Sequence, residues 1–111
     1  MIMDHKLKLM VVDDSPLFRT WLIRSLSEDD RFQVVGYAVN ALDAQEKIPL
    51  LQPDMLTLDI EMPGMSGIDF LKQLLPVHPI PVILVSSLNL RVFDALEAGA
   101  VDFVRKPDEA N

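Results

Sequence analysis

Three aspartates, a pair of serines and a lysine are the residues of this chain best able to do chemistry together. Asp13 and Asp14 follow the apolar run over 7–12, Leu-Lys-Leu-Met-Val-Val, and Asp59 follows Met-Leu-Thr-Leu over 55–58. Ser86 and Ser87 follow Val-Ile-Leu-Val over 82–85, while Val-Asp-Phe-Val over 101–104 runs through Arg105 into Lys106 and Pro107. If these runs are parallel strands of one sheet, every polar group emerges at the same carboxyl edge, where open α/β sheets hold their ligands.

Gathered there, Asp13, Asp14 and Asp59, with Glu61 two residues on, would crowd carboxylates that cannot all stay ionised unless a cation neutralises them. A hard divalent ion with oxygen ligands answers that need, and magnesium is the usual choice where a phosphate completes the shell. The plainer alternative makes Asp13 and Asp14 a solvated pair favoured by a helix N-terminus. Asp59 stands alone at its strand end and is the better nucleophile, because carboxylates form aspartyl-phosphate intermediates. A phosphoryl group in transfer spreads negative charge over its oxygens, so positive charge and donors must face it. Lys106 offers the ammonium. Ser86 is the preferred hydroxyl because it directly follows the apolar run, with Ser87 as the other choice or as a cap. The Lys106–Pro107 bond can be cis or trans. Phe103 is most simply core, although an aromatic there could swing between buried and exposed positions if Ser86 moves toward a phosphate.

Alternating strand and helix patterns would position these groups. The strand 7–12 is followed by Ser15 as N-cap and Pro16 at the first helical position, with Leu17, Trp21, Leu22 and Leu26 at helical spacing. Residues 32–39 form a second strand nearer an edge, since Gln33, Gly36 and Tyr37 interrupt it. A helix from Asn40 to about Leu51 follows, its last turn loosened by Pro49, and Pro53 introduces the strand ending at Asp59. Pro63, Gly64 and Gly67 mark a loop. A third helix spans Ile68–Leu75 and is closed by the prolines at 76, 79 and 81. The strand 82–85, a fourth helix ending at Gly99 and the strand 101–104 complete the order. Such alternation predicts parallel βαβ units with right-handed crossovers.

Composition narrows the function. The chain has 111 residues, half of them hydrophobic, which is one domain with a real core. Seventeen acids against ten bases give a net charge of −7, so contact with nucleic acid is not expected. With no cysteine there is neither a disulfide nor a thiolate metal site, and His5 and His78 have no spacing partner. No apolar stretch approaches the ~20 residues of a membrane span. A soluble cytoplasmic domain without membrane insertion is expected.

Four motifs in order carry a family resemblance: Val12-Asp13-Asp14-Ser15, the run 58–67 Leu-Asp-Ile-Glu-Met-Pro-Gly-Met-Ser-Gly, Val85-Ser86-Ser87, and the run 99–107 Gly-Ala-Val-Asp-Phe-Val-Arg-Lys-Pro. From about Lys8 to Pro107 the chain resembles the phosphoacceptor (receiver) domain of two-component response regulators. The resemblance implies a flavodoxin-like fold, a doubly wound five-stranded parallel sheet. It implies that Asp59 takes a phosphoryl group from a histidine kinase. Asp13 or Asp14, with Asp59 and the backbone carbonyl of Glu61, would hold magnesium, and Ser86 and Lys106 would contact the phosphate. Thr57-Leu58-Asp59 before Glu61-Met62-Pro63, the double serine and the run from Ala95 to Pro107 most resemble the regulatory domain of chemotaxis protein-glutamate methylesterases. Residues 1–111 would then be the N-terminal regulatory part of a larger protein, since no G-x-S-x-G elbow occurs here. Its partners would be a chemotaxis-type histidine kinase and its own C-terminal methylesterase. Other readings are a receiver with a DNA-binding output, a stand-alone receiver, or an aspartate-nucleophile phosphatase; the last usually spaces its first acids Asp-x-Asp.

Two departures from the family pattern stand out. Receivers carry one more helix after the Lys-Pro pair, where only residues 108–111 remain, so part of one sheet face is expected to be bare. The stretch from Ser86 to Gly99 is shorter than usual by up to about one helical turn.

Overall fold

The computed structural model describes residues 5–87 and 92–107, with the backbone alone at Val92. In chain order the elements are β1 (Leu7–Val12), α1 (Pro16–Ser27), β2 (Phe32–Ala38), α2 (Ala41–Leu51), β3 (Met55–Asp59), α3 (Gly67–Leu74), β4 (Val82–Ser86), α4 (Val92–Glu97) and β5 (Asp102–Arg105). The strands form one five-stranded sheet in the order β2-β1-β3-β4-β5, and every pair is parallel. This is the expected flavodoxin-like topology. The chain moves one way from β1 to β2 and the other way from β2 onward. Right-handed crossovers therefore send α1 to one face and α2, α3 and α4 to the other. The reversal opens a crevice between the carboxyl ends of β1 and β3, where Asp13 and Asp59 stand.

The central strands are short apolar runs because both of their faces are covered. Met10, Val12, Leu56, Leu58 and Leu84 pack with Ile68, Phe70 and Leu71 of α3, Ala44 and Ile48 of α2, and Ala95 of α4. β2 is an edge strand as its composition predicts, and its register with β1 shifts between Leu9 and Met10. Helix starts follow the expected side-chain chemistry. Ser15, Asn40 and Ser66 each accept a hydrogen bond from the amide three residues on, which satisfies donors that a helix N-terminus leaves open. Pro49 does not end α2, which runs to Leu51 and closes on Gln52 in the left-handed region. The β5 ladder begins and ends one residue later than expected, because Val101 still belongs to the turn that leaves Gly99 at φ 107°.

The α1 side is thinly covered. α1 buries none of its residues fully, and Leu17 and Trp21 are 80% and 51% exposed. The helical spacing of Leu17 and Trp21 is real, but it does not mark a buried stripe. Residues 108–111, which follow the Lys-Pro pair, lie outside the described residues, as do 88–91 of the short stretch after Ser86.

One glycine joins scaffold and site. Gly67 opens α3 and donates its N–H to the Ile60 carbonyl at 2.9 Å, and a Cβ on it would run into the backbone carbonyl of Asp59. Because backbone is the obstacle, the strain cannot be relieved by a rotamer. Gly67→Ala is expected to cost about 1–3 kcal/mol or more, as overpacking does, and so to lower the melting temperature by at least ~4 °C. A thermal melt unchanged by the substitution would show that α3 is free to move away from Asp59.

Candidate functional site

Asp13 continues directly from β1, and its N–H still donates to the Ala38 carbonyl of β2 at 3.0 Å. Asp59 is the last residue of β3. Both are buried, at 1% exposure, whereas Asp14 is exposed. One carboxylate oxygen from each of Asp13, Asp14 and Asp59 lies within 4.8 Å of the others. Lys106 enters from just beyond β5, with Nζ 3.1 Å from Asp13 Oδ2 and 3.5 Å from Asp59 Oδ2. Its own N–H donates to the Ser86 carbonyl at 2.7 Å, its bond to Pro107 is trans, and its ammonium lies 4.5 Å from the centre of the Phe18 ring.

The sheet thus unites Asp13, Asp14, Asp59 and Lys106 from three separate strand ends. Ser86 and Ser87 arrive beside them but are held by Glu61. The Ser86 hydroxyl donates to Glu61 Oε2 at 2.5 Å, a short hydrogen bond. The Ser87 amide and hydroxyl donate to Glu61 Oε1 at 3.1 and 3.2 Å. Ser86 is buried, while Ser87 faces the cavity above Asp59. The sequence reading counts Glu61 among the crowded carboxylates and, by resemblance, gives its backbone carbonyl to the cation. The structure groups only Asp13, Asp14 and Asp59, and the Glu61 carboxylate instead holds the two serines, a role that reading missed. The contact depends on register, since β3 and β4 pair at Asp59 and Val85 and so bring the residues just past those ends together. The apolar wall of the site was missed as well. A cavity of about 730 Å³ has Asp14, Asp59 and Lys106 on its polar side and Leu17, Phe18 and Trp21 of α1 on the other. Phe103 is half-buried against the main core.

Electrostatics follow from this crowding. Burial and then the neighbouring charge of Asp13 push the Asp59 carboxyl up to about 7, against the pull of Lys106. Burial works against the Lys106 charge, yet the Asp13 hydrogen bond and the Asp59 and Asp13 charges outweigh it and raise its pKa. Lys106 is therefore a fixed cation. Asp59 Oδ2 is buried and accepts no hydrogen bond. A buried carboxylate oxygen whose ion-pair partner Lys106 stands 3.5 Å away, beside two further carboxylates, all oxygen donors, fits a hard divalent cation.

The raised Asp59 carboxyl makes a prediction for the cation-free protein. Unfolded, this group ionises near 3.8; folded, near 7. Between those values the folded state holds a proton that the unfolded state has released, so the contribution of Asp59 to stability falls as pH rises through that window and levels off above it. Asn at this position never ionises. In chelator, Asp59→Asn is expected to melt several degrees above the native protein at about pH 8, a gain of at most a few kcal/mol, and to lose that advantage near about pH 4. A difference that does not change across this range would show that Asp59 is not the group that burial disfavours.

Residues 9–111 match the response regulator receiver domain family. A protein-glutamate methylesterase/protein-glutamine glutaminase 2 of Syntrophomonas wolfei is 52% identical over 104 residues, covering 94% of this chain and 30% of that protein. The chain thus spans about a third of the length of the curated relatives it matches. The response regulator domain of Thermotoga maritima CheB superposes with a TM-score of 0.88 at 40% identity, over 96% of this chain and 83% of that one. A chain of the CheX-CheY-BeF3-Mg+2 complex from Borrelia burgdorferi superposes with a TM-score of 0.80 at 30% identity, over 93% of this chain and 80% of that one.

Proposed function

Because this chain belongs to the response regulator receiver domain family, we propose that Asp59 is its phosphoacceptor and that the donor is a phosphohistidine of a chemotaxis-type histidine kinase. The observation that carries this reading is the Asp59 carboxyl itself, buried at a strand end with an oxygen that accepts no hydrogen bond, beside a fixed ammonium and under an open cavity. An Asp59 oxygen attacks phosphorus, the bond from phosphorus to the imidazole nitrogen breaks, and the electron pair leaves with the imidazole. Lys106 stands close enough to pair with a phosphoryl oxygen. Ser86, or Ser87 beside it, gives the hydroxyl donor by letting go of Glu61, and that exchange moves the end of β4. Phe103 lies next to β4 in register with Leu84, which suits it to follow that movement.

The cation we propose is magnesium, held by Asp13, Asp14 and Asp59 with the Glu61 carbonyl. When bound it would neutralise the carboxylate cluster and part of the charge on the phosphoryl oxygens. The structure of the Borrelia relative is named for a complex with Mg+2 and BeF3, which supports this choice.

The output we propose is a methylesterase acting on glutamyl methyl esters of chemoreceptors, carried by the same polypeptide as in the methylesterase relatives. We assign the domain to the cytoplasm, where a kinase of that type would meet it. No helix among the described residues is long and apolar enough to cross a membrane, and the net charge of −7 argues against nucleic acid as a partner.

Incubation with magnesium and acetyl phosphate is expected to add one phosphoryl group to the intact mass, and Asp59→Asn is expected to abolish the label. Equal labelling of that variant at another residue would overturn the assignment. Magnesium is also expected to raise the melting temperature of the native protein, with a gain that grows as the logarithm of its concentration above the dissociation constant. Asp14→Ala should lose most of this gain. Melts that coincide with and without magnesium would show that the acidic cluster is not a metal site.

A further inference from the structure

We propose that Arg19 is a positioning residue that clamps the peptide group between Asp13 and Asp14, and so sets the spacing of the acidic cluster for its cation. The inference rests on the cation reading given above and extends it to a positively charged side chain, which is the last type expected to favour a metal ion.

Arg19 sits in the first turn of α1, where its own N–H donates to the Ser15 carbonyl at 2.9 Å. Its Nη1 donates to the backbone carbonyl of Asp13 at 2.8 Å. Asp13 is thereby held on every side. Its N–H goes to Ala38, its carbonyl to Arg19, and its carboxylate to the Ser15 amide at 2.8 Å and to Lys106. A peptide group is planar, so the carbonyl of Asp13, the amide nitrogen of Asp14 and the Asp14 Cα move as one unit. Fixing that carbonyl fixes the direction in which Asp14 leaves β1. Asp14 is the exposed member of the cluster, and its backbone direction decides whether its carboxylate stays with the other two.

The clamp has a support of its own. The Arg19 guanidinium carbon stands 4.6 Å from the centre of the Tyr37 ring, a cation–π distance. Tyr37 is in register with Val11 on the neighbouring strand. Lys47 steadies the same residue by donating to its carbonyl at 2.7 Å, with its ammonium 5.0 Å from the ring centre. A guanidinium can lie on a ring and donate in its own plane at once, whereas an ammonium is a point charge without that fixed fork.

Charge and position predict opposite outcomes here. If Arg19 acted by its charge alone, removing it would relieve repulsion and tighten cation binding. If it acts by holding the peptide, removing it must weaken binding despite that relief.

The test uses the full chain and magnesium chloride, titrated into chelator-treated protein and followed by the fluorescence of Trp21 in the cavity wall. Arg19→Ala is expected to raise the magnesium dissociation constant roughly tenfold, the scale on which partners of ligating groups act. Tyr37→Ala should raise it less, and the double variant should match Arg19→Ala, since the ring acts only through the guanidinium. Arg19→Lys, which keeps charge and a donor, should recover part of the affinity and guards against a poorly folded alanine variant. In the magnesium-free protein, amide exchange at Asp14 should be faster in Arg19→Ala than in the native chain. Native binding with an equal or tighter constant in Arg19→Ala, or unchanged exchange at Asp14, overturns the inference and leaves the cation site standing. A native protein that binds no magnesium overturns the cation reading and this inference with it.

Discussion

The site depends on an electrostatic mismatch: two buried carboxylates, Asp13 and Asp59, share one ammonium. Burying charge is costly unless it is paired, and a single Lys106 cannot neutralise both acids together with the nearby Asp14. The folded domain therefore carries an unbalanced negative site in its own interior. A proton retained on Asp59 relieves part of it, which is why that carboxyl is pushed up to about 7. A divalent cation would relieve it more fully.

That mismatch is tolerable only because the rest of the sheet holds the groups in place. The reversal of chain direction between β1 and β3 puts their carboxyl ends side by side, with hydrophobic strands on both flanks. Gly67 lets α3 begin against the Asp59 carbonyl, where a larger residue would push the strand end aside. Lys106 comes from the far end of the chain, 93 residues after Asp13. The last strand must dock before the first acid has its partner, so the electrostatics of the site report whether the whole sheet has formed.

Glu61 gives the same arrangement a way to change. Its carboxylate holds Ser86 and the Ser87 amide and hydroxyl together, and so ties the loop after β3 to the end of β4. A phosphoryl group on Asp59 would compete for those hydroxyls at short range. Two alternative acceptors for one set of donors is the kind of discrete choice that a packed edge can turn into two states.

Much of this was legible in the residue order. Short apolar runs ending in Asp, Ser and Lys, separated by capped helical patterns, specify a parallel sheet whose polar ends share an edge, because strand direction alone decides where those ends emerge. Asp13, Asp14, Asp59 and Lys106 could therefore be picked out before any coordinates. Tertiary structure alone decided the rest. Leu17 and Trp21 have core-like spacing, but a helix buries its stripe only where something covers it, and here they wall the cavity. Ser86 and Glu61 are far apart in sequence, and their hydrogen bond depends on the register of β3 against β4. Arg19 looks like any helical arginine until the fold sets it between the Asp13 carbonyl and the Tyr37 ring. Local pattern determines where strands end and which groups they carry; the distances between those groups arise only when separate segments pack in one register.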